Sequence, residues 1–191
     1  MDMISTNMAS TLMPLAPIAI VAITAIVVML LIAIKRNHTL IATTTIIGLN
    51  VAVACIIWQV FFLQTGPQAV MGLFVVDGFA LFNMALILVA ALACCTLAHA
   101  YIDSYTSNRE ELYILILIAV AGAMALTASS HMSTFFLSLE LLSIPTYGLL
   151  AYTYECSKSL EAGIKYLVLS ATASAALLMG MAFLYSFTGT M

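Results

Sequence analysis

Ser133-Thr-Phe-Phe-Leu-Ser-Leu-Glu-Leu-Leu-Ser-Ile-Pro-Thr-Tyr-Gly-Leu-Leu-Ala-Tyr152 decides the fold of this chain. It is an apolar run with one carboxylate, Glu140, near its middle, and no other Asp, Glu, Lys or Arg falls between Leu112 and Tyr154. The surrounding composition says which solvent that run meets. Hydrophobic residues make up 64% of the 191 and charged residues 7%, whereas soluble domains are about 45–50% apolar and about 25% charged. The chain is an integral membrane protein. An acidic or basic side chain at the centre of a membrane helix costs about 2.5–3.5 kcal/mol, so Glu140 is a functional candidate from the outset.

Working outward, runs of roughly 20 apolar residues mark membrane spans. Six fit: Met13 to Ile34, Leu40 to Leu63, Gly78 to Tyr101, Leu112 to Ala128, Met132 to Tyr154 and Glu161 to Phe187. Only helices or closed barrels satisfy the backbone in lipid, and the runs lack the alternation of barrel strands. The expected fold is therefore all-α and polytopic, one membrane domain over 1–191. Polar punctuation separates the spans at Lys35-Arg-Asn-His38, Gln64-Thr-Gly-Pro67, Asp103-Ser-Tyr-Thr-Ser-Asn-Arg-Glu-Glu111, Ser129-Ser-His131 and Glu155-Cys-Ser-Lys158. The short link at Ser129-Ser-His131 makes the fourth and fifth helices a hairpin, and Asp77 reads as an N-cap for the third.

Lys35, Arg36, Arg109 and Lys158 fall in the first, third and fifth connections. Positive loops stay inside, so those connections read as cytoplasmic and the N-terminus as outward. Asp2 ahead of the first span and Lys35-Arg36 behind it give the reverse of a cleavable signal peptide. The net charge of −3 arises from so few groups that it says nothing about partners, and with no basic tract no nucleic-acid partner is expected. Cys55, Cys94, Cys95 and Cys156 have neither metal spacing nor a disulfide framework and read as packing residues.

Function must then be read from polar groups inside helices. Ser133, Glu140, Ser143 and Tyr147 share one helical stripe. A wetted stripe of hydroxyls around a carboxylate fits a proton path, and hydroxyls also serve simply to join helices. Pro145 has no N–H, which frees the Leu141 carbonyl beside Glu140. Lys165 lies about 6 Å inside the sixth helix and Glu140 about 21 Å from the same side, so the gap of about 15 Å rules out a direct ion pair. Lys165 fits either a buried ion path or a stem that snorkels to the interface. His131 in an outer turn and His99 near the cytoplasmic end of the third helix are of the residue type suited to proton exchange, but a lone interfacial histidine is usually no more than that. Gly163, Ser170 and Ser174 form a small-residue face suited to close helix contact. There is no phosphate loop, no His pair at haem or binuclear-metal spacing and no Cys cluster, so the chain shows no redox or hydrolytic centre of its own.

Several stretches together carry a resemblance: Val75-Val-Asp-Gly-Phe79, Asn108-Arg-Glu-Glu-Leu-Tyr113, Phe135-Phe-Leu-Ser-Leu-Glu-Leu-Leu-Ser-Ile-Pro145 and Ser159-Leu-Glu-Ala-Gly-Ile-Lys-Tyr-Leu-Val-Leu-Ser-Ala171, with Arg36-Asn-His38 and Ile47-Gly-Leu-Asn50. They resemble the subunit N family of the bacterial NADH-quinone oxidoreductases, respiratory complex I, whose mitochondrial counterpart is subunit 2. The resemblance implies the N-terminal part of an antiporter-like fold of about fourteen helices, in which inverted repeats each build half of a proton channel. It also implies that Glu140 is the fifth-helix glutamate and Lys165 the sixth-helix lysine of the first half-channel; Ser143, Tyr147 and His131 are weaker candidates read from the residues themselves. The expected setting is the bacterial cytoplasmic (inner) membrane, with other membrane-arm subunits and the lipid bilayer as partners. Flavin, iron-sulfur clusters and quinone chemistry are expected in other subunits, and no cofactor or metal in this chain.

The chain ends at Met191, after the sixth helix. The resemblance therefore implies about the first two-fifths of such a subunit, as a fragment, a split gene product or a remnant completed by another chain. Two alternatives stay open. One is a subunit of a multi-subunit sodium/proton antiporter or membrane-bound hydrogenase, the other a scaffold that packs its neighbours without conducting.

Overall fold

The computed structural model describes residues 13–34, 36–63, 66–102, 110–153 and 157–189; Lys35, Arg109, Tyr154 and Cys156 lie outside them. Six helices follow in order: α1 Ala16–Ile34, α2 His38–Trp58, α3 Gly78–Ile102, α4 Glu111–Ala128, α5 Met132–Leu150 and α6 Ser157–Thr188. A 3-10 turn, Met13–Leu15, leads into α1, and α2 runs on into a π turn, Gln59–Leu63. All six helical segments are long and apolar enough to cross a membrane. The chain is a multi-pass membrane protein.

Sequences as rich in Ile and Val as α1 are mediocre helix formers in water, but hydrocarbon leaves the backbone no other donor or acceptor, and intrahelical bonding wins. The same rule governs the polar side chains within the spans. Thr24 Oγ1 donates to the Ile20 carbonyl at 2.7 Å and Thr45 Oγ1 to Ile41 at 2.9 Å. Asn50 and Asn83 donate their amides to the carbonyls of Ile46 and Phe79 at 2.8 and 2.9 Å. Each group bonds one turn back along its own helix.

The core lies among α1 to α4, where Val21, Val28, Ile41, Leu49, Met84 and Leu117 are fully enclosed. α4 is the most enclosed of the six, and it packs on α1, α3 and α5. Its closest approach is to α5, at Gly122. A Cβ there would stand 2.5 Å from the Leu142 nitrogen and 2.8 Å from the Leu141 carbonyl carbon, so only glycine permits the contact. α6 packs on α5 at the flank of the bundle, and its apolar window contains no buried residue.

One element was not foreseen. Between α2 and α3 the chain forms an antiparallel hairpin, β1 Gln68–Val70 and β2 Phe74–Val76, with Gln68 opposite Val76 and Val70 opposite Phe74. Its turn carries positive φ at both Met71 (54°) and Gly72 (69°), the condition of a primed turn that matches strand twist. The Leu73 carbonyl accepts from the Ser130 N–H at 3.1 Å and from Thr134 Oγ1 at 2.9 Å, which docks the hairpin onto the α4–α5 turn. Beyond it, Asp77 Oδ1 accepts from the Ala80 N–H at 2.7 Å and caps α3.

Candidate functional site

α5 turns its polar stripe toward α6. Ser174 Oγ donates to Glu140 Oε1, and the Tyr147 hydroxyl donates to Ser170 Oγ at 2.8 Å. The Tyr147 ring meets that of Tyr166 edge-on, with centroids 5.6 Å apart. On α5 the two acceptor and donor groups stand about two turns apart, and on α6 the two serines about one turn apart, the length of the tyrosine making up the difference. Because the helices run antiparallel, the serine spacing of α6 matches the carboxylate and phenol of α5. The small-residue face of α6 thus supplies hydroxyls as well as room.

The backbone at Glu140 is shaped by its neighbours. Pro145 is buried within α5 and leaves the Leu141 carbonyl without its usual helical donor. The peptide joining Leu141 to Leu142 is the one that Gly122 of α4 touches. Ser143 Oγ donates to the Leu139 carbonyl at 2.9 Å and Thr146 Oγ1 to Leu142 at 2.8 Å, so the hydroxyls on either side are committed to their own helix. Glu140 itself is half-buried, and among the described residues its hydrogen bond is the one from Ser174, with no Lys or Arg paired to it.

Lys165 sits elsewhere. It is exposed, and its ammonium pairs with Glu161 one turn earlier on α6. His131 is the N-cap of α5, its Nδ1 accepting from the Ser133 N–H at 3.2 Å. It stands about 13 Å along the helix from Glu140. The structure therefore joins Glu140 and Tyr147 to one seam and leaves Lys165, Ser143 and His131 outside it. Ser170, Ser174 and Tyr166 complete the seam; the serines were legible as a contact face, but their bonds required knowing which helix they meet. Met132 and Phe135 of α5, with Leu177, Gly180, Met181 and Leu184 of α6, line an open apolar groove beside the two helices. Among the described residues, no group of three or more His, Cys, Asp and Glu is placed to hold a metal ion.

A carboxylate bonded to a hydroxyl, in an apolar wall, can take up or release one proton while the serine turns from donor to acceptor. Residues 129–191, which include both seam helices, match the family described as NADH:quinone oxidoreductase/Mrp antiporter, TM. The chain is 66% identical over 182 residues to NADH-quinone oxidoreductase subunit N of Acinetobacter baumannii, a match covering 95% of this chain and 36% of that protein. With subunit N of Psychrobacter arcticus the identity is 47% over 183 residues, 94% of this chain and 37% of that one. The chain thus spans little more than a third of the length of these curated relatives, in their N-terminal part.

Among solved structures, respiratory complex I from Thermus thermophilus with bound aureothin holds a chain that superposes with a TM-score of 0.77 at 31% identity, covering 91% of this chain and 37% of that one. The membrane-bound sulfane sulfur reductase, an archaeal respiratory membrane complex, superposes with a TM-score of 0.81 over 93% of this chain and 38% of that chain; at 23% identity it shows the fold alone. Fold, seam and matches define an antiporter-like membrane subunit. The chain belongs to the subunit N family of the NADH-quinone oxidoreductases, as the counterpart of its N-terminal part.

Proposed function

We propose that this chain forms part of the proton-translocating membrane arm of an NADH-quinone oxidoreductase, with Glu140 as its proton-holding group. The observation that carries the reading is the seam: the carboxylate bonds to a serine hydroxyl on a helix whose apolar window is otherwise open. The names of the relatives and the family match support the same reading.

In this reading Glu140 accepts a proton and yields it again, and Ser174 follows by reversing its hydrogen bond. Tyr147 and Ser170 extend the line of hydroxyls along the seam; Ser143 and His131, which stand outside it, are weaker candidates for the path. Lys165, paired with Glu161 toward one end of α6, is the second charged candidate. Electron transfer, flavin, iron-sulfur clusters and quinone belong to other subunits, and the partners are the remaining membrane-arm subunits and the lipid. The membrane is the bacterial cytoplasmic one, with the loops bearing Lys35, Arg36, Arg109 and Lys158 inside and the N-terminus outside.

The test uses the assembled complex containing the chain. Glu140→Gln keeps size and hydrogen bonding but fixes the charge at zero, and the proton-to-electron ratio coupled to NADH oxidation is expected to fall sharply. Glu140→Asp retains the charge and should fall less, and Lys165→Ala less still. Unchanged ratio and turnover in Glu140→Gln would leave the carboxylate a structural hydrogen-bonder and the chain a scaffold.

A further inference from the structure

α2 carries two faces of opposite character. Ile41, Thr45, Leu49, Ala52 and Ile56 are buried in the core, and on the same side a Cβ at Gly48 would stand 2.2 Å from Thr24 Cγ2 of α1. That face is filled. Thr43, Ile47, Asn50, Ala54 and Ile57 are all exposed on the other, separated by steps of four, three, four and three residues. The alternation is that of a seam along which a second helix packs, since a repeat of about 3.5 residues keeps one line of side chains facing a partner helix.

Asn50 lies at the centre of this exposed line. It stands midway in the span His38–Phe62, about 18 Å along the axis from either end and so near the middle of a hydrocarbon layer about 30 Å thick. Its amide gives one hydrogen to the Ile46 carbonyl at 2.8 Å, which leaves a second N–H and the side-chain oxygen; among the described residues neither has a partner. Hydrocarbon offers them none, and an unpaired amide there is costly. The neighbouring polar groups differ. Thr43 spends its one hydroxyl hydrogen on the Leu40 carbonyl at 2.9 Å. Asn83 makes the same local bond as Asn50 but lies in the second turn of α3, near the interface.

We propose that the Asn50 face of α2 is the docking seam for a transmembrane helix of another membrane-arm subunit, one that brings an amide or hydroxyl side chain to mid-membrane. An amide or a hydroxyl both donates and accepts, which is what the two remaining groups of Asn50 require. The line from Thr43 to Ile57 runs about 21 Å along the axis, a length that matches a helix lying beside α2. A single polar contact within an otherwise apolar seam also fixes the register of the two helices. The inference rests on the reading of this chain as a membrane-arm subunit and needs no role for Glu140, whose seam lies between α5 and α6.

The test uses the assembled complex containing the chain, with the photo-crosslinker benzoylphenylalanine introduced at Ile47 or at Ile57. Illumination should join both positions to one helix of one other subunit, and mass spectrometry of the joined peptides should find an amide or hydroxyl residue on it at the depth of Asn50. In mild detergent, Asn50→Leu should lower the ratio of retained to released chain about threefold to twentyfold, the worth of one interhelical hydrogen bond, while Asn50→Gln keeps most of it. Asn50 is exposed, so the isolated chain should unfold at the same temperature in wild type and both variants. Adducts with lipid alone, joining to a second copy of this chain, a partner helix without a polar group at that depth, or undiminished retention of Asn50→Leu would each overturn the inference and leave the proposed function standing. A complex from which the chain is absent would overturn both.

Discussion

Ser174 of α6 donates its hydroxyl hydrogen to Glu140 of α5, and this bond crosses the interface by which α6 packs on α5. A membrane helix gains no hydrophobic free energy from packing on another apolar helix, because lipid tails are equally apolar, so close packing and polar contacts decide where it sits. Polar contacts at the seam therefore help fix the register of α6, beside the close packing of Gly163 on Ala151. The side chain that holds the proton in the proposed function also helps hold the helix.

Ser174→Ala removes the donor and leaves the carboxylate on an apolar wall. Interhelical hydrogen bonds in membranes average about 0.6 kcal/mol and reach about 1.7. The loss should fall at the upper end, since the remaining partner is an acid. Denaturation in mixed detergent micelles measures it, and the cycle with Glu140→Gln isolates the pair. Simple additivity of the two substitutions would mean that the residues are not bonded.

Gly122→Ala places a methyl group against backbone, which cannot rotate aside: 2.5 Å from the Leu142 nitrogen. α4 and α5 must then separate, at an expected cost of about 1–3 kcal/mol. Gly180 on α6 is the control, for a Cβ there has nothing within 4 Å. Gly180→Ala should leave stability unchanged or raise it by up to about 1 kcal/mol through helix propensity. Equal effects at the two glycines would contradict the close α4–α5 contact.

The contrast between these glycines shows where sequence reading stops. Long apolar runs have few physical solutions, so six helices and the place of Glu140 within the fifth were legible from composition and spacing. Asp77 was legible as a cap because it stands directly before an apolar run. The hairpin was not, because Gln68–Val70 and Phe74–Val76 are too short to show alternation, and they are held by Leu73 against residues far along the chain. His38 reads as loop punctuation when the span is begun at Leu40, and His99 reads as a lone interfacial histidine. Their rings meet with centroids 4.5 Å apart through the packing of α2 on α3, which no local pattern encodes.

The charge bias of the connections makes a prediction about sidedness. With the native cysteines replaced, Met71→Cys in the hairpin turn and Asn37→Cys before α2 both present exposed positions at opposite ends of the bundle. An impermeant thiol reagent added outside should label the first and spare the second. Labelling of Asn37→Cys from outside would reverse the orientation drawn from Lys35, Arg36, Arg109 and Lys158.

Tyr152, just beyond α5, does for α4 what its own N-cap residue does not. Glu110 makes no side-chain capping bond, and the Leu112 N–H in the first turn donates instead to the Tyr152 hydroxyl at 3.1 Å. Burial raises the phenol above its ordinary range, and the carboxylates of Glu111 and Glu110 add to this, while the Leu112 bond and Arg36 pull it back. The neutral phenol is thus the form the fold prefers. Its contribution is complete below the unfolded value of about 10 and is lost as pH rises through the higher folded value. Tyr152→Phe should cost about 0.5–1.5 kcal/mol at neutral pH, the worth of one hydrogen bond. The other tyrosines titrate in both proteins, so the difference between them isolates this one. Unfolding followed by circular dichroism at about pH 7 and about pH 10.5 should show the gap between wild type and Tyr152→Phe shrinking at the higher value. A gap that stays constant, or widens, would mean that the hydroxyl is not held in its neutral form against the end of α4.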